Sequence, residues 1–396
     1  MKRKLFFLVI FCVFFFEIGF VSSAHFIIGR LNDALDGTSA NDHTVVLWNP
    51  LNGLGDNLTD IVGPNGNSGQ NNIYMIDCEL LSTPCEIGDI MSIQVLEEAG
   101  KYFTVGEVNV TVTGAGFDLA NNLTLNSPPS IDSIFVDDST HSPANEIDLL
   151  AANSRQVYCV ANITEFDSDS IINVNASFFD SGYSFDTPDD NNYHYLNQSC
   201  NVDSDFGNEN QSQINCSFEV FYYANPGSWT CQIVLEDENS ASKNDTDTTS
   251  VNELLAVGLI DSVDFGVVNL EEVSSELVLN VTNYGNVLVN LSLSGYGSSE
   301  GDNLSMDCLS GNITVGFIKY NLTDSVGGTL NYTHFSGNYT NLTSSPYVNE
   351  FNINYRQDDT ENEAIDETYW RTYVPDAVAG TCSGTIVFGA VEAVAS

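Results

Sequence analysis

The sequence predicts an all-β protein: three β-sandwich modules in series behind a cleaved signal peptide. Three observations carry this. Apolar residues alternate with polar ones in short runs instead of recurring at helical spacing. Gly, Asn, Asp and Pro punctuate the gaps between those runs. A chain of 396 residues, even shortened by a leader, is long for one domain and comfortable for three.

Residues Met1–Ala24 have the form of a secretory signal. Lys2, Arg3 and Lys4 make a basic start, Leu5–Phe16 is an apolar run, and Val21-Ser22-Ser23-Ala24 offers small residues for cleavage before His25. An uncleaved anchor is the competing reading, but the run is broken at Glu17 and falls short of the roughly 20 apolar residues that span a bilayer. No later stretch approaches that length, and the end of the chain carries Gly389 and Glu392. An extracellular or cell-surface protein without a transmembrane span is implied, either released or held by other surface molecules.

His43–Trp48, Ile90–Val95, Val108–Val112, Ile172–Phe178, Cys216–Phe221, Trp229–Leu235, Leu277–Val281 and Val287–Leu293 read as strands, with β-branched and aromatic residues on alternate positions. Outside the leader, Asn362–Tyr369 is the segment that suggests a short helix. Asn126-Ser127-Pro128-Pro129 marks a first boundary, because two prolines withdraw donors and hold the chain extended. Asn239–Ser250, a run of Ser, Asn, Asp, Lys and Thr with little to bury, marks a second. The expected modules are 25–127, 130–240 and 251–396.

Nine cysteines are present, and Cys12 leaves with the leader. The other eight suggest a disulfide framework in an exported chain, although eight thiols allow about a hundred complete pairings and sequence cannot choose among them. Pairing within modules gives Cys78–Cys85, Cys159–Cys231, Cys200–Cys216 and Cys308–Cys382 as the economical set. Zinc is the competing use, but no Cys-x-x-Cys occurs and the histidines are scattered.

The formal charge is −44, and loss of the basic leader makes it more negative. Past the leader only Arg30, Lys101, Arg155, Lys243, Lys319, Arg356 and Arg371 carry permanent positive charge, so no cationic surface can form and nucleic acid is excluded as a partner. Such a field keeps the chain soluble, repels acidic polymers and attracts divalent cations. Acidity of this order also invites a high-salt reading, since screening relieves self-repulsion, but the imbalance comes largely from missing Lys and Arg in a chain rich in Asn, Ile, Phe and Tyr, which weakens that reading.

Particular stretches carry resemblances. Phe26-Ile27-Ile28-Gly29-Arg30-Leu31-Asn32-Asp33, His43–Trp48 and Gly88-Asp89-Ile90-Met91-Ser92-Ile93-Gln94-Val95 follow the order of opening strand, hydrophobic strand and later Gly-Asp strand; the first module resembles the carboxypeptidase-regulatory or transthyretin-like family. In that family the module is accessory, which implies binding or spacing. Pro128–Ile134, Cys159–Phe178 with Asp167-Ser168-Asp169 inside it, and Tyr222–Cys231 with its Pro226-Gly227 turn are similar to immunoglobulin-like or cadherin-like domains of microbial surface proteins. A Cys159–Cys231 staple would then mimic an inter-sheet bridge, although Trp229, two residues before the second cysteine, departs from the usual buried-Trp position. Val263–Val268 and Leu277–Val287 are similar to the start of seven-stranded immunoglobulin-like modules. The whole resembles modular envelope proteins of archaea.

Seventeen Asn-x-Ser/Thr sequons occur: Asn57, Asn109, Asn122, Asn162, Asn175, Asn197, Asn210, Asn215, Asn244, Asn280, Asn290, Asn303, Asn312, Asn321, Asn331, Asn338 and Asn341. Composition alone accounts for roughly half of them, and the excess suggests glycosylation on loops and strand edges. Calcium is the candidate cofactor, since hard cations want clustered oxygen ligands. Glu165, Asp167 and Asp169 around one polar turn, with Asp237 closing the last strand of the same module, are the candidate ligands. Asp137 and Asp138 form another set. Solvated surface is the bland reading of all of them.

Catalysis finds little support. Five histidines are present, and no zinc-protease helix, Gly-x-Ser-x-Gly elbow or phosphate-cradling loop can be read. Tyr193, Tyr195, Tyr222, Tyr223 and Trp370 could line a carbohydrate-binding face or belong to the core. The sequence therefore points to a non-enzymatic structural or adhesive envelope protein of the adhesin or surface-layer kind, glycosylated and disulfide-stabilised. Its partners would be other envelope proteins or surface glycans. The alternative is a secreted array of carbohydrate-binding modules.

Overall fold

The computed structural model describes residues 24–96, 107–139, 144–167 and 170–393. The predicted leader, apart from Ala24, lies outside the described residues. Period-two burial is the rule along the strands. In the middle region the strand Gln211–Phe221 alternates with Ile214, Cys216, Phe218 and Val220 inward and Asn215, Ser217 and Glu219 outward.

The N-terminal region contains β1 (Phe26–Asn32), β2 (Thr44–Trp48), β3 (Asn57–Ile61), β4 (Ile73–Asp77), β5 (Ile90–Val95), β6 (Val108–Thr111), β7 (Phe117–Leu119) and β8 (Leu123–Thr124). One sheet runs β4-β1-β7 with β8 also on β1, and the other runs β3-β2-β5-β6. Ile27 and Leu31 from the first sheet meet Val45, Leu47, Met91 and Ile93 from the second in one apolar cluster. Gly29 is required there: a Cβ on it would stand 2.0 Å from the Tyr74 hydroxyl.

The middle region contains β9 (Ser130–Asp138), β10 (Glu146–Ile147), β11 (Ser154–Thr164), β12 (Ile171–Asp180), β13 (His194–Asn197), β14 (Asn201–Asp203), β15 (Gln211–Phe221), β16 (Gly227–Asp237) and β17 (Ser242–Val251). Its sheets are β10-β17-β16-β12-β13 and β14-β15-β11-β9. The Cys159–Cys231 disulfide joins β11 to β16 and so ties the two sheets together. Trp229, on the same strand as Cys231, is fully buried beside it, 4.8 Å from the Phe178 ring, with its indole N–H donated to the Asn225 carbonyl at 2.8 Å. Cys200–Cys216 closes the β14–β15 edge.

Here the structure corrects one expectation. Asn239–Ser250 is not an open polar connection: Ser242–Val251 is β17, laddered antiparallel to β16 from Glu236↔Ser242 to Gly227↔Val251. Apart from buried Thr249, its polar side chains point outward while the backbone is paired, so the ladder more than apolar burial holds it.

The C-terminal region contains β18 (Val257–Gly258), β19 (Leu277–Asn283), β20 (Val289–Tyr296), β21 (Leu304–Ser310), β22 (Asn312–Thr314), β23 (Ile318–Asn321), β24 (Thr340–Asn341), β25 (Tyr347–Ile353), β26 (Ile365–Thr372), β27 (Ala379–Ser383) and β28 (Thr385–Glu392). They form sheets β18-β19-β26-β23-β24, β25-β20-β28 and β22-β21-β27. Cys308–Cys382 links β21 to β27, and Cys78–Cys85 closes a small loop of the N-terminal region. The expected helix at Asn362–Tyr369 is absent: most of it belongs to β26, which puts Thr368 and Trp370 into the core. The helix of this region is instead Tyr332–Asn338, started by the Asn331 side chain accepting the His334 N–H at 2.9 Å and anchored by buried Phe335.

Candidate functional site

The candidate metal ligands meet at the connection between the N-terminal and middle regions. Leu125, Asn126 and Ser127 are buried there, so the segment before the two prolines is anchored and not a loose tether. The Asn126 amide donates to Asp237 Oδ2 at 3.0 Å, and its own oxygen accepts from the Asn239 amide at 3.3 Å. The Ser127 N–H donates to Asp167 Oδ2 at 2.7 Å, while its hydroxyl oxygen accepts the Leu35 N–H at 3.0 Å. One short connection is thus bonded to both regions.

Local turns aim the acids. Asp237 ends β16, and its Oδ1 accepts the N–H groups of Asn239 and Ala241, each at 2.9 Å, which shapes the turn into β17. Glu165 follows β11 directly, with Oε1 accepting the Phe166 N–H at 3.0 Å. Glu165 Oε2 and Asp167 Oδ1 are closed off from solvent without a hydrogen-bond partner. Buried polar atoms are normally paired, because a lost partner costs about 1–3 kcal/mol.

The electrostatics agree with that geometry. Burial, the Asp167 carboxylate beside it and then the charge of Asp237 push the Glu165 carboxyl up to about 8. Burial also raises Asp237 against the hydrogen bonds that stabilise its ionised form, and Asp167 adds to the rise. A retained proton relieves this crowding; so does a hard cation accepting the free oxygens. The donors are all oxygen, the ligand type a hard cation prefers. Among the described residues no group of three or more His, Cys, Asp or Glu is placed so that it could hold a metal ion, and Asp169, the fourth expected ligand, lies outside the described residues.

The other acidic set does not join this one. Asp137 and Asp138 lie at the far end of β9 from the connection, roughly 23 Å along the strand at its usual rise. There Arg155 Nε stands 3.5 Å from Asp138 Oδ2.

The middle and C-terminal regions meet through a different chemistry, which the sequence reading did not identify. The Tyr223 hydroxyl donates to Asp359 Oδ1 at 3.0 Å, Tyr222 donates to Glu363, and the Arg356 guanidinium lies 4.5 Å from the Tyr223 ring centre. Asn192 donates to the carbonyls of Tyr223 and Arg356, and Asn286 to the carbonyl of Ala224 at 2.9 Å. The Tyr222-Tyr223 pair was the available signal, but only the fold shows what it packs against.

Of the two readings of the aromatics, core and carbohydrate face, the structure favours the core for most of them. Tyr195, Tyr222, Tyr223 and Trp370 are buried and do not form a carbohydrate face. Tyr193 alone of the expected set turns outward, stacked on Tyr183 at 4.3 Å. Two histidines pair with carboxylates: His25 Nε2 lies 2.7 Å from Asp118 Oδ2, and buried His194 lies 2.8 Å from Asp189.

None of the seventeen sequon asparagines is buried. Many owe their form to strand alternation, with the middle residue in the core: Val110, Leu123, Ile163, Val281, Leu291, Ile313 and Leu342 are all buried. A polar-apolar-polar triplet is what a half-buried strand produces, so part of the sequon excess has a folding cause.

No family model matches the chain, and no curated protein matches it. Among solved structures it is similar to BcpA, the major pilin subunit of Bacillus cereus, at 9% identity over 78% of this chain and 96% of that one, with a TM-score of 0.30. It is similar to the major pilin SpaD of Corynebacterium diphtheriae at 9% identity, over 93% and 87% of the two chains, with a TM-score of 0.26. A Ca2+-stabilized adhesin with which an Antarctic bacterium binds ice gives 9% identity, 93% and 73% coverage and a TM-score of 0.22.

Proposed function

We propose that this chain is an exported structural or adhesive protein of the cell envelope, without catalytic activity, made of sandwich modules in series. The modules follow the three apolar clusters, with the middle one extended to Val251 so that it includes β17. Four disulfides fit an oxidising compartment, and outward-facing sequons fit glycosylation there. The observation that carries the reading is the connection at Asn126-Ser127. It is bonded into both neighbours and flanked by carboxylate oxygens without partners, as a spacer that must hold its shape would require.

Calcium is the proposed stiffener of that junction, held by Glu165, Asp167, Asp237 and Asp169. The test is scattering and thermal melting of the exported chain with calcium and with chelator. The reading expects an elongated, higher-melting form with calcium; an unchanged melting temperature and unchanged dimensions at millimolar calcium defeat the calcium role. Surface location is tested separately, by labelling intact native cells with an antibody, where absence of surface signal removes the envelope assignment.

A second reading, binding of surface carbohydrate, rests on the stacked Tyr183–Tyr193 pair, with Tyr183 46% exposed. Binding on a glycan array that is lost in Tyr183→Ala supports it, and a blank array removes it.

A further inference from the structure

The sheets of the C-terminal region end in unpaired strands, and two of those ends are adjacent in the chain. β27 and β28, separated by Gly384 alone, are the outermost strands of the sheets β22-β21-β27 and β25-β20-β28. Their outer backbone groups have no laddered neighbour among the described residues. Beside this edge lies a groove of about 910 Å³, lined by Met306, Ile313, Ile386 and Phe388 on the sheet side and by Val263 and Phe265 opposite.

Val263 and Phe265 belong to a stretch with a strand pattern and no strand. Residues 259–268 have no regular secondary structure. Across them the one backbone N–H with a bond is that of Gly266, donated to the Asp264 carboxylate at 2.8 Å. Val263 and Phe265 pack against the core, while Val267 is 100% and Ile260 58% exposed. The segment is bent at Gly266, whose φ is +71°. Glycine passes to an extended conformation without a Cβ clash, so rotation at one residue straightens it.

We propose that Ser262–Val268 of one copy of this chain adds as a strand to the β27–β28 edge of a second copy. An edge with apolar pockets beside it takes an extended segment by backbone hydrogen bonding, with alternate side chains filling the pockets. The occupant is a second copy because the segment already matches the groove by its inward Val263 and Phe265, yet leaves its own amides and the outward Ile260 and Val267 uncovered. Only a further surface covers those. Exchange of this head-to-tail kind closes into a reciprocal dimer or runs on as a filament. The heavy negative charge opposes it, so salt must favour it. Such assembly does not depend on where the chain resides.

The test is sedimentation of the full exported chain at micromolar concentration across a salt series, with amide hydrogen exchange read on residues 259–268. The proposal expects association that grows with salt and slow exchange in the segment only in the associated form. Val267→Pro, which removes a donor that the single copy does not use, should abolish association without changing the melting temperature. Gly266→Val, which favours the extended form, should strengthen association several-fold. A chain that stays monomeric throughout overturns the proposal, and slow exchange in the monomer assigns the groove to the chain's own segment instead. Association untouched by Val267→Pro overturns it as well, because the contact then lies elsewhere.

Discussion

The Asn126 amide reaches Asp237 Oδ2 at 3.0 Å across a separation of 111 residues, one of the bonds that tie the connection to the middle region. Asp237 is fully buried, already accepts two backbone N–H groups, and stands near Glu165 and Asp167. The connection is therefore part of an electrostatic centre. Asp237→Ala should remove the Asn126 acceptor and the turn into β17 together, costing about 2–3 kcal/mol by the usual penalty for orphaned buried partners. Denaturant unfolding of the variant measures this, and a loss within error would show the bond to be incidental.

The Glu165 carboxyl gives a pH dependence of definite sign. Its proton leaves near 4.5 in the unfolded chain and near 8 in the folded one. Between those values folding takes up a proton, so without calcium this group makes stability fall as pH rises through the window. Glu165→Gln should flatten that fall, as thermal melts from pH 5 to pH 8 would reveal. Calcium, which needs the ionised form, should bind more tightly as pH rises over the same range. Calorimetric titration at the two ends decides it.

The inter-sheet disulfide should dominate the stability of the middle region. Cys159 and Cys231 are 72 positions apart, and closing a loop of that size stabilises by about 4 kcal/mol in the chain-entropy picture. Cys159→Ala with Cys231→Ala should lose about that amount in denaturant unfolding. Opening of Cys78–Cys85, which spans 7 positions, should cost clearly less.

Arg371 is a buried cation whose partner fixes an acid limit. Its guanidinium donates to the Ser274 and Val326 carbonyls at 2.8 and 2.7 Å, and Glu276 Oε2 lies 3.9 Å away. Burial pushes the Glu276 carboxyl up, but Ser325, Tyr339, the Val326 N–H and Arg371 together bring it below its ordinary value. The stability it contributes is complete above the unfolded pKa and is lost as pH falls through the lowered folded one. Glu276→Ala should destabilise by about 3 kcal/mol near neutral pH by leaving a buried charge without its carboxylate, and should differ much less from the parent in acid. A melting-temperature difference that persists unchanged into acid would contradict this.

Glycosylation makes a separate prediction. The intact mass of natively produced chain should exceed the peptide mass by many sugar units, with modified peptides mapping to exposed sequons such as Asn57, Asn244 and Asn338. An unmodified native mass would leave the sequons as a product of strand alternation.

The amino-acid sequence by itself determined the strands with one buried face, because such burial imposes period two and that period can be read directly in β15 and β19. It also brought Glu165, Asp167 and Asp237 under suspicion, since acids at turns and strand ends are visible in one dimension. Tertiary structure alone decided the rest. β17 has almost no apolar signal because β16 supplies its hydrogen bonds, and Asn362–Tyr369 shows its strand character only once Trp370 has a core to enter. Cys159 and Cys216 stand directly opposite each other on β11 and β15, yet each is bonded elsewhere. Both side chains leave the sheet on the same buried face, but Cys159 reaches Cys231 in the facing sheet while Cys216 reaches Cys200 beside β14 in its own; the packing of the sheets makes that choice, and no spacing along the chain records it. The same holds for Asn126 and Asp237: local preferences form the strands, whereas contacts across a hundred positions exist only after the sheets have closed on one another.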